Sequence, residues 1–150
     1  MKQYRFSFWM SVIMISIFSL VSCKGGILDN STSIAPSNMA GKTLKVDGVT
    51  IQFTSNTSGT ISDYIGTSTR SSVSYKRTSS MEAKLSFSYH TEDNYSMSER
   101  SYSLTLVFAD ETQGLASGSY TYSNIISKGT KYENKSSGNQ NVKNKIFTVN

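Results

Sequence analysis

Cysteine, proline, histidine and tryptophan each occur once in the 150 residues, and each scarcity closes off a class of protein. The lone cysteine, Cys23, can make no intrachain disulfide and no cysteine-pair zinc site. The lone histidine, His90, cannot form a metal triad with others of its kind, and no Gly-x-Ser-x-Gly elbow presents a serine nucleophile. Acidic residues are sparse, 10 against 15 Lys and Arg, for a net charge of +5. The neighbouring pairs Glu92-Asp93 and Asp110-Glu111 lack the alternating ligands of a calcium loop. The basic residues are interspersed with acids and polar groups, without the dense cluster that phosphate neutralisation requires. These absences predict no enzyme, no metal or other cofactor, and no nucleic-acid partner.

What is present begins at the amino terminus. Lys2 and Arg5 precede an apolar run over residues 6–20, which contains the single tryptophan, Trp9, and gives way to small residues. That order, charged then apolar then small, is the order of a secretory signal. The run would span roughly 22 Å as a helix, short of the roughly 30 Å hydrocarbon core a permanent membrane helix must cross.

The run ends in Leu20-Val21-Ser22-Cys23, which resembles the lipobox of bacterial lipoproteins at all four positions. The resemblance covers residues 1–23. It implies cleavage between Ser22 and Cys23, then acylation of the Cys23 thiol and of the freed amine, so that the partner of the mature chain is a membrane reached through lipid. Only a thiol supplies the required sulfur nucleophile, and two or three acyl chains hold durably where one holds marginally. Lys24 is not the acidic residue that retains such proteins at the inner membrane. The resemblance therefore implies export and anchoring at the outer membrane of a Gram-negative host, on either its periplasmic or its surface leaflet.

The domain division expected is a signal helix over 1–22, a lipidated cysteine and flexible tether over 23–39, and one domain over 40–150. The tether reading rests on glycine, proline and small polar residues.

After residue 40 the periodicity is two. Lys42 to Phe53 reads as a hairpin turning at Asp47-Gly48, since both positions tolerate the positive φ of a type I′ turn. Residues 81–90 alternate, with Met81, Ala83, Leu85, Phe87 and Tyr89 on one face. Tyr102, Leu104, Leu106 and Phe108 repeat the pattern beyond a polar loop over 91–100. Residues 115–122 follow after a turn near Asp110, and shorter candidates lie near Ile61, at Val73 with Tyr75, and over 145–149.

Strands recurring at this spacing predict an all-β fold, an antiparallel small barrel or a sandwich. The order of strands resembles lipocalin-like folds, although the tryptophan those folds carry after their first glycine is absent behind Gly41. Two functions follow as expectations. One is a binding module for an apolar or amphipathic ligand, with Leu85, Phe87, Leu104, Leu106 and Phe108 facing an interior cavity. The other is a structural or protein-interaction component of the envelope, recognised through a Ser/Thr- and Tyr-rich face or an open sheet edge.

Overall fold

The computed structural model describes residues 33–150. Ser22, Cys23 and the expected signal peptide lie outside the described residues, as does the tether as far as residue 32. Eight strands follow in order: β1 (Thr43–Val46), β2 (Val49–Ser55), β3 (Ser58–Ser62), β4 (Arg70–Arg77), β5 (Glu82–Glu92), β6 (Ser96–Asp110), β7 (Gln113–Ile126) and β8 (Asn134–Val149). All pair antiparallel in one sheet of order β3-β2-β1-β8-β7-β6-β5-β4.

Every strand thus lies beside its neighbours in sequence, and β8 returns to β1. This is an up-and-down barrel, nearly closed. Its seam falls between β3 and β4, where Tyr75 N–H donates to the Asn56 carbonyl (2.7 Å) and Ser71 Oγ to the Gly59 carbonyl (3.2 Å). The Asp47-Gly48 turn has φ of 50° and 79°, both positive as the β1–β2 hairpin requires.

The strands differ greatly in length, and this asymmetry positions everything that follows. β1 covers β8 only over Phe147–Val149, leaving residues 134–145 of β8 paired on one side alone. One end of the barrel is therefore walled all round, and the other is an open curved sheet made by the outer halves of β5 to β8.

Inside, side chains pack in layers. At the closed end Leu44, Ile51, Ile61, Leu106, Phe108 and Phe147 are at most 1% exposed, each contributing about 1.5–3 kcal/mol by burial.

Two expectations need correction. Residues 33–39, read from composition as tether, belong to the packed domain: Ala35 and Met39 are fully buried. Asn56 holds the segment down, accepting from Met39 N–H (2.7 Å) and donating to the Ser37 carbonyl (2.9 Å), while Tyr75 Oη donates to the Pro36 carbonyl (2.8 Å). Met81, placed by alternation on the buried face, precedes the strand and is 45% exposed.

Candidate functional site

The register turns the alternation of each strand into rows that run across the sheet, and the inner rows change character from end to end. Tyr75, Leu85, Leu104 and Val142 share one row. The next holds Val73, Phe87, Tyr102 and Tyr120, whose rings stack with centroids 4.5 Å apart for Phe87 and Tyr102 and 4.7 Å for Tyr102 and Tyr120. Beyond it come Tyr89, Arg100 and Tyr122. The last comprises Thr91, Ser98 and Asn124, with Thr91 Oγ1 donating to Asp63 (3.3 Å) and Ser98 Oγ to Asn124 (2.9 Å). The interior thus grades from apolar at the walled end to polar at the open one.

Gly138 lies opposite Tyr122, and a Cβ there would stand 3.1 Å from the phenol ring, a contact the ring could relieve only by shifting a few tenths of an ångström. The ring occupies that space instead, half-buried over bare backbone. Burial pushes the Tyr89 and Tyr102 phenols above their ordinary range, against the opposing influence of Arg100. Tyr75 is pushed up to about 12, again by burial and against Arg77.

On the outside the same register builds rows of hydroxyls. Ser72, Ser88, Ser101, Thr121 and Asn139 form one row, and Ser74, Ser86, Ser103, Ser119 and Asn141 the next. Neither row holds a charge or an apolar group. Ser72 and Ser88 hydrogen-bond at 2.7 Å. Alongside runs a row containing Arg70, His90, Glu99 and Ser123. Between it and the first hydroxyl row lies a groove of about 530 Å³, lined by residues 70–72, 88–90, 99–101 and 121–123. The middle residue of each triplet belongs to the inward phase of its strand.

His90 points outward, as the alternation implies, yet its side chain is only 14% exposed. Two carboxylates enclose it, Glu92 at 3.2 Å from Nε2 and Glu99 at 3.2 Å from Nδ1. The Lys128 ammonium, and then the imidazole, hold the Glu92 carboxyl below the usual carboxylate range.

Of the residues singled out from sequence, Leu85, Phe87, Leu104, Leu106 and Phe108 are core side chains, none more than 3% exposed. They fill the interior against one another and against β1 to β3. Sequence reasoning did not single out Arg100 or the outer groove. The signal for Arg100 was available, since the phase of residues 102 to 108 continues back through Arg100 and Ser98. The hydroxyl rows are the polar phase of those same alternations. Among the described residues, no group of three or more His, Cys, Asp or Glu side chains is placed to hold a metal ion. Comparison with known proteins returns no family model, no curated protein and no solved structure that matches this chain.

Proposed function

We propose that the chain is a cell-envelope lipoprotein, cleaved after Ser22 and anchored through lipid on Cys23, whose barrel recognises an envelope partner through its outer hydroxyl face. The observation that carries the second half is the groove bordered by the Ser72–Ser88–Ser101–Thr121 row. Uncharged hydroxyls in register suit a partner that offers hydrogen-bonding groups rather than charge. The competing use of the fold, an apolar ligand held deep inside, loses support because Leu85, Phe87 and their neighbours occupy that volume themselves. Support for the anchor comes from the order of charge, apolar run and lipobox over residues 1–23. Outward rows of Ser, Thr and Asn are at home in water and not against acyl chains, which fits a barrel hung from lipid. Lys24 favours the outer membrane of a Gram-negative host.

Replacing Cys23 by Ser is expected to abolish fatty-acid labelling and release the protein from washed membranes. Undiminished membrane association would overturn the anchor. A photoreactive residue at Ser101 is expected to crosslink one envelope component in intact cells, and Ser88→Arg to abolish that adduct without lowering the thermal midpoint. An adduct that persists in a folded Ser88→Arg protein would remove the groove from the proposal.

A further inference from the structure

Arg100 is a cation on the inner face of the barrel that has tyrosines but no carboxylate partner around it among the described residues. Its Nε is buried without a hydrogen-bond partner, and the guanidinium makes no ion pair among the described residues. The hydroxyls of Tyr89 and Tyr102, residues each 3% exposed, are buried and unpartnered as well. Tyr102 adjoins Arg100 and Tyr89 adjoins Asp63, but neither pair reaches hydrogen-bonding geometry. A buried donor left without a partner loses its hydration with nothing in return, and a charged one loses more. Three such atoms in adjacent rows hold hydrogen-bonding capacity that the fold leaves unused, although Asp63 and the Tyr102 oxygen stand close by.

We propose that Arg100, with the hydroxyls of Tyr89 and Tyr102, binds the carboxylate of a small organic acid at the open end of the barrel. A guanidinium fork matches the two oxygens of a carboxylate, and each phenol can donate to the same group. The local charge selects a monoanion. Asp63 faces Tyr89, and although its oxygens already accept from Ile65 N–H (2.9 Å), Gly66 N–H (3.4 Å) and Thr91 Oγ1, its charge stands against a dianionic phosphate. The surroundings select an apolar remainder. The Arg100 head lies 5.8 Å from the Tyr120 ring centre and 5.9 Å from that of Tyr64, which is 77% exposed at the mouth. An aromatic or short aliphatic acid can lay its body along these rings while its carboxylate reaches inward.

The site shares residues 89 and 100 with the lining of the outer groove, but the Arg100 and Arg70 side chains point to opposite faces of the sheet. The test uses the full mature protein in detergent, titrated with benzoate, hexanoate, benzamide and inorganic phosphate. The readouts are calorimetry and the Arg100 Nε–H resonance. Benzoate or hexanoate is expected to shift that resonance saturably, whereas benzamide and phosphate leave it in place. Arg100→Gln is expected to weaken binding roughly tenfold or more, Tyr102→Phe by a smaller factor, and Arg70→Gln not at all. Absence of a saturable shift with both acids would overturn the proposal. So would equal binding of benzamide, stronger binding of phosphate, or undiminished binding by a folded Arg100→Gln protein. Should Arg100→Gln fail to fold, Tyr102→Phe decides, and unchanged affinity in that variant counts against the site.

Discussion

Phe108 and Phe147 meet edge to face, 4.8 Å between ring centroids at an interplanar angle of 75°, across the strand that carries Gly114 between them. The two rings belong to β6 and β8, which are never adjacent, and they touch because the residue on β7 has no side chain. A Cβ at position 114 would stand 2.8 Å from Phe147 Cζ and 2.0 Å from the Val107 carbonyl oxygen. Gly114→Ala is therefore expected to destabilise the barrel by about 1–3 kcal/mol, the usual cost of overpacking a filled core. Denaturant unfolding measures this directly, and a variant as stable as the parent would mean that the rings are not held where they lie.

A second consequence concerns the segment before β1. Asn56, in the β2–β3 turn, satisfies both Met39 N–H and the Ser37 carbonyl. Asn56→Ala leaves both groups to find water, and the expected loss is about 1–2 kcal/mol. The diagnostic measurement is amide exchange at Met39, which should accelerate while exchange within β6 and β7 stays slow. Uniform acceleration throughout the barrel would instead mean that residues 33–39 hold the whole fold together.

How far the fold was legible follows from where apolar residues alternate. Leu85 and Phe87, or Leu104 and Leu106, face a filled core, so their strands stand out in the sequence. The Asp47-Gly48 turn was equally plain, because few residue pairs accept two positive φ angles. β8 was not legible before residue 145. From Asn134 to Asn141 it is exposed on both faces, which leaves no apolar phase to read, and its register with β7 alone makes it a strand. The polar stretch 91–100 read as a loop for a related reason. Thr91, Ser98 and Arg100 point inward, so burial and polarity coincide where periodicity analysis takes them to be opposites. Composition likewise mistook residues 33–39 for a tether, since hydrogen bonds from Asn56 and Tyr75 to their main chain cannot be read from their side chains. The candidate sites were hidden by the same logic: Arg100 and the outer serines acquire meaning only when four strands are set in register.

Acid should loosen one turn specifically. Thr112 and Gln113 donate side-chain hydrogen bonds to the Asp110 carboxylate, with Thr112 N–H adding a third. These bonds lower its pKa from an ordinary 3.8 to about 2. A carboxyl depressed in the folded chain contributes stability that is present above its unfolded value and is lost as pH falls toward its folded one. The β6–β7 turn is thus expected to weaken between about pH 4 and pH 2, and Asp110→Asn to abolish that dependence. Carboxyl-carbon resonances followed through this range would show it, and titration of Asp110 at its ordinary value would refute it.

Alkali should act on the opposite group of residues and on the whole barrel. Tyr75, Tyr89 and Tyr102 all have phenols raised by burial, Tyr75 to about 12, from an ordinary value of 10.0. Because the neutral form is favoured in the fold, the stability these residues contribute is complete below pH 10 and declines as pH rises toward 12 and beyond. Phenolate absorbance from the three should therefore appear together with loss of the barrel's circular dichroism. Arg100 sharpens the comparison, since its charge lowers the Tyr89 and Tyr102 phenols and so opposes burial. Removing that charge in Arg100→Gln is expected to move their ionisation to still higher pH and to leave Tyr75 where it was. If the Tyr89 and Tyr102 phenols instead ionise at lower pH in a folded Arg100→Gln protein, the guanidinium does not face these hydroxyls.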